Sequence, residues 1–134
     1  MLLCFTLKAL MGDPYTPLLI LINLTKLVII QTVEKRKPHY RLSKVQLFVA
    51  NPASQPFTAT ALRNGLALGL TEPEMRQVVL RLSRRDFYKA MTSHADHQLW
   101  QDVYHGTTED GIDIYIKITG FADDRPPVIQ FKAK

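Results

Sequence analysis

Cysteine is nearly absent from this chain. Its 134 residues include one, Cys4, so no internal disulfide can staple the fold and no thiolate set can hold zinc. That usage fits a reducing, intracellular setting. Glycine is scarce, with 6 residues, and none builds a phosphate cradle: Gly65-x-x-x-Gly69 lacks both the Lys-Ser/Thr pair and a preceding strand. No glycine-rich nucleophile turn surrounds Ser43, Ser83 or Ser93, which argues against a serine hydrolase. A clean membrane span is missing too. The apolar run from Pro17 to Ile30 is broken by Asn23, Thr25 and Lys26, short of the ~18 uninterrupted residues a spanning helix needs. Only Lys8 precedes it and the bulky Ile29-Ile30-Gln31-Thr32 follows, unlike the basic start and small-residue cleavage site of a signal peptide. His94-x-x-His97, with Asp96 between, falls in an expected loop with no helix to aim the rings and no fourth ligand near, so no metal is expected.

What is present is ordinary globular composition, 46% apolar and 22% charged, in a length suited to one domain with a real core. The charge is uneven. Val33 to Gln101 holds 11 Lys/Arg against 5 Asp/Glu, a net of +6, and Asp102 to the end holds 4 against 6, a net of −2. A basic front half suits a polyanion such as RNA, because Lys and Arg displace counterions from phosphates. On charge alone a solvated basic surface is the preferred reading.

Residues 1–32 differ from the rest and read as an apolar N-terminal extension outside the native fold; residues 33–134 read as a single domain. Glu34-Lys-Arg-Lys-Pro-His-Tyr-Arg41 is a basic arm that Pro38 keeps out of a helix on its N-terminal side. Ser43 is placed to cap a short helix to about Ala50, ended by Pro52. Phe57 to Thr60 reads as an extended link, with Thr60 capping a helix from Ala61 to Leu68 that Gly65 weakens and Gly69 stops. Thr71-Glu-Pro-Glu74 has capping-box spacing, and Met75, Val78, Val79 and Leu82 follow at core spacing. Ser83 and Asp86 repeat the capping pattern and predict a short helix to about Met91, then a loop from Thr92 to Gln98. After Leu99 the period becomes strand-like: Leu99–His105, a turn at Glu109-Asp-Gly111, the alternating Ile112–Thr119, a turn over Asp123–Pro127, and Val128–Lys132. The expected class is α+β, with N-terminal helices packed on a C-terminal antiparallel sheet.

Alternation assigns side chains to faces. If Ile112, Ile114, Ile116 and Ile118 meet the core, then Asp113, Tyr115, Lys117 and Thr119 point away; if Ile129 and Phe131 are buried, Gln130 and Lys132 do not face the core. Gln101 joins that open surface only if Trp100 and Tyr104, not Leu99 and Val103, are buried, and burying the aromatics hides more apolar area. A tyrosine with two lysines beside a basic arm makes a credible RNA platform. It is also what any one-sided antiparallel sheet shows to water.

Several segments together resemble the MqsR toxins. Glu34-Lys-Arg-Lys-Pro-His-Tyr-Arg-Leu-Ser43 is similar to the family's start. Asp86-Phe-Tyr-Lys-Ala-Met-Thr92, Asp96-His97 and Trp100-Gln-Asp-Val-Tyr104 resemble its central block in order and spacing, and Tyr115-Ile-Lys-Ile-Thr119 with Phe131-Lys-Ala-Lys134 its end. The resemblance implies a RelE-like ribonuclease fold, a cytoplasmic toxin that cleaves mRNA at short GC-containing sites such as GCU without the ribosome, and a paired MqsA-like antitoxin. No cofactor and no membrane partner are implied. The family's active-site positions fall on Lys89, Gln101, Tyr115 and Lys132, and the basic residues expected to hold RNA are Lys35, Arg36, Lys37, Arg41 and Lys117. Residues 1–32 have no counterpart. Val33 stands where family members carry their initiator methionine, so the product is expected to begin there, a valine codon being read as Met. The turns at Thr107–Gly111 and Ala122–Pro127 depart from the family pattern, which leaves the base preference open.

The implied reaction is attack of a ribose 2′-hydroxyl on the adjacent phosphate, leaving a 2′,3′-cyclic phosphate and a 5′-hydroxyl. It needs a base, an acid and positive charge at the phosphorane, not a metal. Lys132 and Lys89 are expected to supply charge and Gln101 to orient the phosphate or a base. Tyr115 is the expected proton carrier, its phenol acidified by neighbouring cations. No histidine is expected in the base role. The competing class is a non-catalytic module that binds RNA or protein on the same sheet.

Overall fold

A computed structural model describes residues 32–120 and 125–134. The expectations for the apolar extension and the start at Val33, and part of the turn over Asp123–Pro127, lie outside the described residues. Residues Val33–Lys134 form one compact unit.

Among the described residues the elements run β1 (Glu34–Lys35), α1 (Leu42–Ala50), α2 (Ala59–Ala67), α3 (Glu72–Leu80), a 3-10 turn (Arg84–Asp86), β2 (Phe87–Thr92), β3 (Trp100–Thr107), β4 (Asp113–Thr119) and β5 (Val128–Ala133). The strands form one antiparallel sheet in chain order, β1-β2-β3-β4-β5. The helices pack on one face of it, which makes the α+β class a finding. Tyr104, Ile114, Ile116, Ile118, Ile129 and Phe131 from the sheet meet Val45, Val49, Ala61, Met75, Val78, Val79 and Leu82 from the helical layer in one core.

Local chemistry explains where the helices begin. Thr71 accepts from the Glu74 N–H at 3.3 Å while Glu74 accepts from the Thr71 N–H at 2.7 Å, the reciprocal cap its spacing predicts. Two other caps fall elsewhere than expected. Arg41, not Ser43, precedes α1, so the helix starts one residue before Ser43. Thr58, not Thr60, caps α2 by accepting from the Ala61 N–H at 3.0 Å, because Thr58 is still extended while it bonds the β5 edge, its N–H donating to the Ile129 carbonyl at 3.1 Å. That bond and the one from Ile129 N–H to Pro56 O (2.7 Å) close the outer edge of β5, where an unpaired strand would invite aggregation. Gly65 does more than weaken α2. A Cβ there would meet Met75 Sδ at 2.3 Å, so glycine is what lets α2 and α3 touch.

The segment after Ser83 corrects a sequence expectation. Ser83 N–H donates to Asp86 Oδ2 at 2.7 Å, a true cap, but it serves a single 3-10 turn. Phe87 to Met91, expected as helix, is strand β2, which also takes in Thr92. Phe87, Ala90 and Met91 have the i, i+3, i+4 spacing of a helix, but as a strand the segment hides Ala90 and Thr92 and completes the ladder with β3. Its register shifts between Phe87 and Lys89, a bulge at Tyr88 that hides the alternation.

Candidate active site

The strand register builds the open face residue by residue. Lys89 on β2 lies opposite Val103 on β3, Val103 opposite Lys117 on β4, and Lys117 opposite Gln130 on β5. One row along, Met91, Gln101, Thr119 and Val128 are opposed in turn; on the other side the row is His105, Tyr115 and Lys132. Directly opposed residues share a face, so Lys89, Gln101, Tyr115, Lys117 and Lys132 come together on one surface. Lys89 reaches it from a strand, not from a helix. Gln101 belongs there because Tyr104, 1% exposed, faces the core and Trp100 lies beneath the folded arm; Val103, expected to stay unburied, is buried as well, on the same face as Gln101.

The electrostatics of this face are dominated by cations. Lys132 Nζ sits 5.1 Å from the Tyr115 ring centroid and Lys89 Nζ 5.5 Å from that of Tyr88. Burial, then the charges of Lys132 and Lys89, lower the Lys117 pKa below its ordinary value. Lys89 is ion-paired to Glu34 across the β1–β2 edge, and that bond raises its pKa. Tyr115 corrects an expectation. Burial raises its pKa and outweighs the opposing pull of Lys89, so the phenol stays protonated at neutral pH. Gln101 is mostly buried and donates through Nε2 to Thr119 Oγ1 at 3.1 Å, which fixes its amide. A groove of about 340 Å³ beside these residues is lined by Tyr115, Lys117 and Lys132 and walled by Thr60 and Asn64 of α2.

The basic arm does not join this surface as a whole. Lys35 lies opposite Ala90, a position on the covered side, and its Nζ rests 4.1 Å from the Trp100 ring centroid. His39 stacks on the same indole at 5.2 Å, and the His39 and Tyr40 amides donate to the Asp102 carboxylate at 2.8 Å each. Lys37 and Arg41 line a groove with Arg84 and Tyr104 on that side, while Arg36 donates to the Tyr88 carbonyl at 3.4 Å. The arm is therefore fastened over the covered face, and Lys117 is the one basic RNA-contact candidate that the register seats among the active-site candidates.

Two residues of the face escaped sequence reasoning. Tyr88 projects from the bulge and stacks on His105, centroids 4.5 Å apart and planes 23° apart; His105 in turn lies 6.0 Å from the Tyr115 ring. A histidine therefore lies among the candidate residues, where none was expected in the base role. The signal was there: the alternation that turns Gln101 outward turns His105 outward four residues later. His94 and His97 remain in an exposed loop, and among the described residues no group of three His, Cys, Asp or Glu is arranged to hold a metal. No helix among the described residues is long and apolar enough to cross a membrane.

Known proteins bear out the resemblance. The family model described as "Motility quorum-sensing regulator, toxin of MqsA" matches residues 37–133. The mRNA interferase toxin MqsR of Escherichia coli (strain K12) is 43% identical over 102 residues, which cover 76% of this chain and 100% of the relative. A family match that spans the helices and the whole open face, with a relative of this identity, establishes that the chain belongs to the motility quorum-sensing regulator family of MqsR toxins.

Proposed function

We propose that this chain is the toxin of a toxin–antitoxin pair, an endoribonuclease that cleaves cytoplasmic mRNA at short GC-containing sites such as GCU by metal-independent attack of the 2′-hydroxyl, and that an MqsA-like antitoxin neutralises it. The observation that carries this reading is the convergence of Lys89, Lys117 and Lys132 around Tyr115 on the face of the sheet away from the three described helices. Burial and, after it, two cationic neighbours make Lys117 harder to protonate, and a phosphodiester placed among the three would relieve the repulsive part. Family membership and the E. coli relative's name support the same activity.

Each residue has a part in this reaction. Lys132 and Lys89 offset the charge that grows on the phosphorane oxygens, Lys89 exchanging Glu34 for the substrate. Tyr115, protonated, gives its proton to the departing 5′-oxygen. Gln101, pinned by Thr119, offers a fixed amide to the phosphate or a flanking base. Lys117 holds the substrate backbone, and Lys35, Arg36, Lys37 and Arg41 draw RNA in at longer range. The test is to incubate the purified protein with a long RNA in EDTA. Discrete fragments with 5′-hydroxyl ends are expected; RNA left intact would overturn cleavage and leave a binding module.

A further inference from the structure

We propose that His105 is the general base of RNA cleavage, its imidazole taking the 2′-hydroxyl proton while Tyr115 protonates the leaving oxygen on the other side of the phosphorus. This rests on the RNA-cleaving reading above and adds to it the group that reading lacks. The chain has 4 histidines. His39, in the arm, is stacked on Trp100, and His94 and His97 stand in the exposed loop after β2, which leaves His105 on the face that carries Tyr115 and Lys132.

Its setting suits the task. Tyr88 stacks against the imidazole at 4.5 Å and restrains its plane, and the ring nitrogens lie at the edge of that plane. Tyr115 is directly opposite on β4, ring centroids 6.0 Å apart, so both rings border one stretch of the face and a phosphodiester lying across it could be approached by both. Lys132 Nζ, 5.1 Å from the Tyr115 ring, brings positive charge to the same place. The charged and titratable groups around His105 are Tyr88 and Lys89 on β2, Asp113 and Tyr115 on β4, and Lys132 and Lys134 at the end of β5. Burial and Lys134 together outweigh Asp113 and hold the imidazole pKa below its ordinary value, so the ring is neutral, with a free lone pair, at pH 7. Burial holds the Tyr115 phenol in its protonated form. A neutral acceptor and a protonated donor thus face one another, the two states the reaction consumes.

The step balances without a co-reactant. A lone pair on a His105 nitrogen takes the 2′-hydroxyl proton as the 2′-oxygen bonds to phosphorus. The P–O5′ bond breaks, and the departing oxygen takes the Tyr115 proton. The products are a 2′,3′-cyclic phosphate and a 5′-hydroxyl, with imidazolium and phenolate left to exchange one proton through solvent.

The test compares wild type, His105→Gln and Tyr115→Phe on a short RNA in EDTA, each variant first shown to melt like wild type. His105→Gln is expected to lower kcat/KM at pH 7 by about 100-fold, the usual weight of a general base. Wild-type kcat/KM should fall on the acid side with a bend below the ordinary imidazole value of about 6.5, and that limb should vanish in His105→Gln. An RNA with sulfur in place of the bridging 5′-oxygen, whose leaving group needs no proton, should restore Tyr115→Phe to within a few-fold of wild type and leave His105→Gln slow. Should His105→Gln fold poorly, His105→Ala with added imidazole is expected to regain activity. Wild-type rates or a persistent acid limb in His105→Gln, or its rescue by the sulfur substrate, would overturn the base assignment while cleavage itself stood. A wild-type protein that leaves RNA intact would overturn both.

Discussion

On β4, Ile114, Ile116 and Ile118 are 0%, 0% and 1% exposed, while Tyr115 and Lys117, threaded between them, are partly open on the other side. The same strand thus serves two faces under different rules. The covered face is apolar from Tyr104 to Phe131 and closed by three helices. The face away from the described helices gathers lysines, tyrosines and a histidine, several of them partly buried, where the lysine charges repel. A residue on the first face should therefore be felt in stability, and one on the second in chemistry.

The sharpest way to break this contrast is Ile116→Ala against its neighbour Lys117→Ala. Removing three buried carbons beside Gly106 and Phe131 should cost about 3–4 kcal/mol in urea unfolding, whereas Lys117→Ala should stay within about 1 kcal/mol. Equal costs would mean the two faces are not distinct.

Next in size is Lys132→Ala. Loss of one positive charge at the phosphorane should reduce cleavage by about 100-fold or more, with unfolding midpoint and slope unchanged. A variant that cleaves normally, or one that loses activity only because it unfolds, would remove Lys132 from the chemistry.

The arm sets a smaller test, since it is fastened to the covered face by Asp102. The Asp102 carboxylate accepts the His39 and Tyr40 amides from more than sixty residues away in the chain. Asp102→Ala leaves both donors without it and should cost about 2 kcal/mol. Burial, ahead of those amides, raises the Asp102 pKa, so the folded state binds its proton more tightly than the unfolded chain does. Stability from this group is present at low pH and is lost as pH rises through the raised value. Asp102→Asn, which keeps an acceptor oxygen but does not titrate, should flatten that part of a stability–pH curve. An unchanged curve would show that the carboxyl does not titrate there.

These residues also show what can be read from the chain and what cannot. The Ile112 to Thr119 alternation identifies β4 and puts Tyr115 and Lys117 outward, because a period of two has one reading once the isoleucines are buried. Thr71 and Glu74 announce α3 because capping is a contact between near neighbours. β2 stayed hidden behind a genuine cap at Ser83 and a bulge at Tyr88, and strands pair with partners that local signals do not name. The arm failed for the same reason: its basic residues read as an RNA surface, yet Trp100 and Asp102 draw it onto the other face. His105 was within reach of alternation, but only after the facing of β3 was decided by the burial of Tyr104.

The smallest expected effect concerns the one anion paired to a cation among the described residues of the site. Glu34 lies opposite Met91 on β1 and engages Lys89. Phosphate must compete with that carboxylate, so Glu34→Gln should favour substrate without altering the chemical step. The pair is partly exposed, which limits its worth to about 1 kcal/mol or less. KM for a short RNA should therefore fall by no more than about fivefold, with kcat unchanged and the difference shrinking as salt is raised. A drop in kcat would instead make Glu34 part of the reaction, and would place the boundary between the fastening edge of the sheet and its reactive face one strand further out than the geometry draws it.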